Sequence, residues 1–180
     1  DTPMSVQQAT FASAMKLRDE AAADVAVIAR THAMLEALDK VSTSTANANA
    51  ATGSAKANLH ASAAALQQQI DDFAKNFYNP NVQYKVPEDD LHFLAPYGMS
   101  FLGLYGNIAG MAPNQAPNAE QQQYVAKQES RLQPLLDTFN GSLREAVEKF
   151  NAEAKQAGVQ LLSIGEPVKV GDPKLLATDT

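Results

Sequence analysis

The spacing of apolar residues predicts one long helix over residues 118–158. Steps of three or four place its apolar and small residues on one face: Tyr124, Leu132, Leu135, Phe139, Leu143, Ala146, Phe150, Ala154 and Ala157. Asn118 followed by Gln121 is typical of a capped helix start, and Gly158 is typical of a helix end. At about 1.5 Å per residue such a helix runs about 55–60 Å, so we expect other helices to pack along it.

Two further segments have the same periodicity. In residues 5–41 the predicted apolar stripe comprises Phe11, Met15, Arg18, Ala22, Val25, Ile28, His32, Leu35 and Leu38. In residues 55–77 it comprises Leu59, Ala63, Leu66, Ile70, Phe73 and Phe77. Residues 42–54, which have no charge and no large apolar residue, are predicted to form a loop. We expect the first and last helices, which have similar lengths, to lie side by side and bury their stripes.

Residues 91–111 form an uncharged apolar segment after His92. Pro96, four glycines and the absence of flanking basic residues argue against a membrane span, so the segment is predicted to be a buried, kinked third helix. The whole chain is therefore predicted to be all-α, an up-down-up-down four-helix bundle with two long and two shorter helices.

The chain is predicted to be a single domain over residues 1–180, with the bundle over about 5–158 and a C-terminal extension over 159–180. Pro134 and Gly141 predict a bend in the last helix. In the extension, a strand-like apolar patch is expected to lie against the bundle: Leu161, Leu162, Ile164, Val168 and Val170. From Gly171 onward the tail is expected to fray.

Composition excludes several classes of function. A net charge of −6 with scattered basic residues leaves no basic patch for nucleic acid or an anionic membrane. The absence of cysteine excludes disulfides, thiolate zinc sites and cysteine nucleophiles. Because the sequence begins at Asp1 without an initiator methionine or leader, we interpret it as a mature exported protein or a piece of a longer one, and favour the piece.

No constellation of residues predicts catalysis or a cofactor. His32, His60 and His92 lie on three different predicted elements, and His32 on its apolar stripe is interpreted as a partly buried structural histidine. A carboxylate-bridged di-metal centre needs Glu-x-x-His motifs, which are absent. The sequence also lacks a Gly-x-Ser-x-Gly nucleophile turn. We therefore predict no enzyme activity, no metal and no cofactor.

Aromatic residues in the uncharged segment are the remaining candidate site. Tyr97, Phe101 and Tyr105 recur every four residues on the predicted third helix, and Tyr84 and Phe93 precede them. These five side chains either fill the core of the bundle or form a patch that docks another domain or chain. The sequence leaves both interpretations open.

Three stretches together resemble the C-terminal helical region of bacterial sortilin-like (VPS10-type) BNR-repeat β-propeller proteins, often described as glycosyl-hydrolase-like. They are Phe11 to Asp19, Gly106 to Gln121 and Phe150 to Val159. Order and spacing agree over about residues 6–160. Where the family has a Pro-Thr turn before its last helix, this chain has Pro117-Asn118, which exchanges one N-cap residue for another. The charge-free residues 42–54 and the glycine-rich third segment depart from the family.

The resemblance implies a non-catalytic accessory or interaction domain that follows a large propeller in a periplasmic or extracellular protein. Its expected partner is the N-terminal β-propeller of the same polypeptide or another protein, and it transfers no catalytic residues. The alternative is a free-standing periplasmic helical bundle that binds a small ligand, a metal or haem in its core.

Overall fold

The computed structural model describes residues 3–46, 55–77 and 117–177. Within these ranges the regular structure is helical, with no strand. It comprises α1 (Met4–Thr45), α2 (Ala55–Ala74), α3 (Ala119–Thr138), a π-helical turn (Phe139–Leu143), α4 (Arg144–Gln156) and a short 3₁₀ helix (Pro173–Leu175). The all-α prediction is confirmed. The predicted third helix lies outside the described residues, so the four-helix count stays a prediction.

The last helical rod, from α3 through the π-helical turn to α4, begins and ends where the sequence predicts. The side chain of Asn118 accepts a hydrogen bond from the backbone N–H of Gln121 at 2.8 Å, and the Gln121 side chain accepts one from the N–H of Asn118 at 2.9 Å. These two bonds satisfy N–H groups that have no partner inside the helix. At the other end, Gly158 has a φ of +67°, as a helix-terminating glycine requires.

Pro134 and Gly141 do not break this rod. The helix continues through Pro134, whose carbonyl accepts a hydrogen bond from the Thr138 hydroxyl at 2.9 Å. The irregularity instead takes the form of the π-helical turn, which contains Gly141. A single wide turn of this kind accommodates a local mismatch while the helix on either side persists.

The apolar stripe predicted for α2 is confirmed, because all six of its residues are buried. The stripe predicted for α1 is wrong: of its nine residues only Leu38 is buried, and Phe11, Val25 and His32 are exposed. The buried residues of α1 are instead Thr10, Ala14, Leu17, Glu20, Ala21, Ala23, Asp24, Val27, Thr31, Met34, Leu38, Val41 and Thr45. The helix has apolar residues on two sides, and α2 packs on the side that these buried residues form.

The expected lengthwise contact between the first and last helices is also wrong. α1 packs mainly on α2, and α2 packs on α4. α1 meets α3 over a short stretch, where Lys16 Nζ lies 2.6 Å from Glu129 Oε1. Between α1 and the last rod runs an extended segment, residues 159–172, which we call the strap. It bridges the two helices that were expected to touch.

The apolar patch predicted in the extension does lie against the bundle. Leu162, Ile164 and Val168 are buried in the common core, whereas Leu161 and Val170 are exposed. The tail after Gly171 is more ordered than predicted through residue 177, because Asp172 caps the 3₁₀ helix with a hydrogen bond from the N–H of Lys174 at 2.9 Å. The strap is therefore an integral part of the packed structure.

The loop predicted over residues 42–54 is wrong for its first residues, because Ser42 to Thr45 belong to α1. α1 continues to Thr45, whose side chain is buried and donates a hydrogen bond to the Val41 carbonyl at 2.8 Å. Ser44 also donates to the Val41 carbonyl, at 2.9 Å. In these bonds the two hydroxyls use a carbonyl of the helix itself.

Candidate functional site

The five aromatic residues predicted as an interaction site, Tyr84, Phe93, Tyr97, Phe101 and Tyr105, lie outside the described residues. Their two interpretations therefore both remain predictions. The described part of the chain offers three other features with distinct chemistry: an apolar surface on α1, a buried acidic cluster, and the groove that holds the strap.

The apolar surface lies on the side of α1 opposite its buried side, although Met15 within it also packs against the edge of the core. At about 100° per residue, Phe11, Met15, Ala22 and Val25 fall within about 80° of one another; we call them the outer face. Phe11 is 66% exposed and Val25 46% exposed, while Met15 and Ala22 are partly buried. A helix with apolar residues on both sides is typical of an element that is covered on both sides.

Charge on the outer face is largely compensated. Arg18 lies between Phe11 and Val25, and its Nη2 is 2.6 Å from Asp19 Oδ1. Its Nε donates to the same oxygen at 2.9 Å. This fork of two bonds neutralises the guanidinium beside the apolar side chains. The surface is thus suited to an apolar partner more than to a charged one.

The buried acidic cluster lies on the core side of α1. Asp24 is 1% exposed, and its Oδ1 has no hydrogen-bond partner in the described structure. Burial raises the pKa of the Asp24 carboxyl to about 7. Removing a carboxylate from water disfavours its charged form, so the group holds a proton up to neutral pH.

Glu20, one helical turn before Asp24, is 4% exposed. Burial, followed by the nearby negative charge of Glu129, raises the pKa of Glu20 to about 7, while Lys16 acts in the opposite direction. Lys16 is held in turn by its hydrogen bond to Glu129, which raises the pKa of the ammonium group. This polar cluster is the point at which α1 meets α3.

The strap is held by two asparagine side chains of the last rod. Asn151 Nδ2 donates to the Leu162 carbonyl at 2.9 Å, and its Oδ1 accepts from the Leu162 N–H at 2.7 Å. Asn140 makes the same pair of bonds with Val168, both at 2.8 Å. Each amide thereby offers an extended backbone the donor and acceptor that a neighbouring β-strand would offer.

Arg30 of α1 holds the strap from the opposite side. Its Nη1 donates to the carbonyl of Glu166 and, at 3.4 Å, to that of Ile164. Gly165 lies between these carbonyls with a φ of +70°, and a Cβ there would be 3.1 Å from the guanidinium carbon of Arg30. The positive φ favours glycine here, and a Cβ would in addition require the Arg30 side chain to shift by a few tenths of an ångström.

A cavity of about 410 Å³ lies where the end of α1, the start of α2 and the start of the strap meet. Lys40, Lys56 and Ser44 line it, together with Gly158 and Leu161. Among the described residues, no group of three metal-ligating side chains was found. The helices of the described ranges include none that is long and apolar enough to cross a membrane.

No family model, curated protein or solved structure matches this chain.

Sequence reasoning missed Arg30, Asn140 and Asn151. One signal was present: asparagine is disfavoured inside helices because its amide competes for backbone groups, yet Asn140 and Asn151 both lie within the last rod, eleven residues apart. Eleven residues make about three helical turns and return to nearly the same face. Two asparagines on one face inside a helix therefore indicate that another part of the protein lies against that face and bonds their amides.

Proposed function

We propose that this chain is a non-catalytic helical interaction module, appended to an exported sortilin-like β-propeller, and that the outer face of α1 docks on that propeller or on another protein. The exposed side chains of Phe11 and Val25, with the partly buried Met15 and Ala22 on the same side of the helix, carry the proposal. Large apolar side chains grouped on one side of a helix, with the nearby charge neutralised, are typical of a surface that is covered in an assembly.

The resemblance to the sortilin-like proteins also supports the proposal, because it includes part of the outer face of α1. The first of its three stretches, Phe11 to Asp19, contains the outer-face residues Phe11 and Met15 as well as the Arg18–Asp19 pair. The aromatic residues predicted between Tyr84 and Tyr105 are a second proposed contact surface of the module.

The outer face offers a direct test, because its exposed residues Phe11 and Val25 are not part of the core. The doubly substituted chain Phe11→Asp with Val25→Asp would be compared with Ala64→Asp with Ala152→Asp, which adds the same charge at exposed positions of α2 and α4. Calorimetry would measure binding of each chain to the propeller encoded in the same reading frame.

We expect the outer-face variant to bind at least about tenfold more weakly, since two desolvated anchors each contribute on the order of 1 kcal/mol or more to an interface. The control should bind like the original chain, and both variants should retain their helical circular dichroism. Equal binding by the two variants would refute the assignment of the outer face. A reading frame without repeated β-strand units would refute the propeller partner.

A further inference from the structure

The cavity of about 410 Å³ between the end of α1, the start of α2 and the start of the strap contains charged side chains of one sign. Lys40 and Lys56 line it from two different helices, and its lining within the described residues includes no carboxylate. Glu36 and Asp39, the acidic residues nearest to Lys40 along α1, are not part of this lining. We call this site the lysine cavity. A recess with charge of one sign concentrates ions of the opposite sign, so this cavity attracts anions although the chain as a whole is acidic.

The positive charge of the lysine cavity is not neutralised by the described part of the chain. There, the ammonium groups of Lys40 and Lys56 take part in no ion pair and no side-chain hydrogen bond. The end of α1 and the start of α2 carry partial charges of opposite sign, which offset each other. At the end of α1 the Val41 carbonyl is already bonded by the hydroxyls of Ser44 and Thr45. The two lysines therefore determine the sign of the potential in the cavity.

The lysine cavity also has an apolar wall, to which Val41, Val159 and Leu161 contribute. Leu161 is 49% exposed, so a ligand that covers it removes apolar surface from water. The backbone N–H groups of Gln160 and Leu161 have no hydrogen-bond partner within the described ranges and are available as donors. An apolar wall combined with a few polar groups, in a cavity of this volume, is typical of a site for a small molecule.

We propose that the lysine cavity binds a small organic anion in which a phosphate or carboxylate group is joined to a short apolar body. Lys40 and Lys56 hold the charged group from two helices, while the apolar body covers Val159 and Leu161. This binding site is separate from the outer face of α1, whose residues lie between Phe11 and Val25.

Four probes separate the contributions of charge and apolar surface: hexyl phosphate, hexanoate, inorganic phosphate and hexylammonium. Each would be titrated at neutral pH into isotopically labelled protein, and the backbone amide signals would be followed by NMR. Hexyl phosphate should shift the signals of Lys56 and Leu161, and hexanoate should shift the same signals with weaker binding because it carries less charge. Inorganic phosphate should bind at least about fivefold more weakly than hexyl phosphate, since it lacks the apolar body. Hexylammonium should not bind, and added salt should weaken the binding of both organic anions.

Matched variants locate the binding. Lys40→Met and Lys56→Met should each weaken hexyl phosphate binding by about two- to fivefold, the usual contribution of one exposed charge pair. Lys127→Met, which removes an exposed lysine of α3, should leave it unchanged. Leu161→Glu should prevent binding by placing a carboxylate in the cavity. Val170→Glu is its control, because Val170 is also an exposed residue of the strap but does not line the cavity.

Several results would overturn the proposal. Hexylammonium binding as tightly as hexyl phosphate would mean that the lysines do not select the ligand, and equal binding of inorganic phosphate and hexyl phosphate would exclude a role for the apolar wall. An equal loss in Lys127→Met and Lys56→Met would indicate diffuse attraction to the surface in place of a site. A spectrum that none of the probes shifts would exclude the site altogether. None of these results bears on binding through the outer face of α1, so the two proposals are tested separately.

Discussion

Replacing Asp24 by asparagine should stabilise the protein at neutral and alkaline pH. Asp24 is 1% exposed, and no hydrogen bond reaches its Oδ1 in the described structure. Because burial raises its pKa from 3.8 to about 7, the folded protein keeps this proton over a range in which the unfolded chain has lost it. Asparagine retains the shape of the side chain and carries no charge.

The direction of the effect follows from proton binding. Between about pH 4 and pH 7 the native state binds one more proton than the unfolded state, so stability falls as the pH rises and the loss is complete above pH 7. At about 1.4 kcal/mol per pKa unit, the shift from 3.8 to about 7 corresponds to about 4 kcal/mol. Allowing for local relaxation, we expect Asp24→Asn to be more stable by about 2–4 kcal/mol at pH 8 and nearly unchanged at pH 4.

Urea denaturation followed by circular dichroism at pH 4, 5, 6, 7 and 8 would measure this difference. Asp72→Asn is the control, because Asp72 is exposed and a hydrogen bond from Lys75 lowers its pKa. That variant should show no gain as the pH rises. If the curves of the original chain and Asp24→Asn ran parallel from pH 4 to pH 8, the assignment of a buried neutral carboxyl at Asp24 would be refuted.

Three smaller changes have defined outcomes in the same denaturation assay. Glu20→Gln should shift stability in the same direction as Asp24→Asn but by less, because Lys16 partly favours the charged form of Glu20. If the difference in stability between Glu20→Gln and the original chain were the same at pH 4 and at pH 8, this would be contradicted. Asn118→Ala should cost about 1 kcal/mol by removing the cap of α3, whereas an unchanged midpoint would mean that the cap is dispensable. Gly165→Ala should cost about 1–3 kcal/mol through its positive φ and its contact with Arg30, and a gain would exclude the strap geometry described here.

The sequence predicted the structure best where one physical requirement determines the start of a helix or its buried side. The helix cap at Asn118 depends on one side chain within hydrogen-bonding reach of the next turn, and it is present with its reciprocal bond to Gln121. α2 has one apolar side, so its buried residues follow from periodicity alone. Both predictions depend on patterns that repeat within a few residues along the chain.

The prediction for α1 was wrong because periodicity does not rank two apolar sides of the same helix. Large residues such as Phe11 and Val25 favoured one side, yet the core is built on the side with Ala14 and Ala21 and accepts Glu20 and Asp24 as well. A rule based on periodicity assigns every carboxylate residue to the solvent-exposed side of a helix, including Glu20 and Asp24, which are buried here. Only the packing of α2 and α3 against that side identifies it as the core.

The strap explains why α1 and the last rod do not need to touch. It contributes Leu162, Ile164 and Val168 to the core. Arg30, Asn140 and Asn151 bond its backbone groups, several of which are partly buried. The exposed side chains of Phe11 and Val25 are not among the buried residues that form this junction. Substitutions of these two residues should therefore affect binding, and substitutions of Arg30, Asn140 or Asn151 should affect the junction, each without the other.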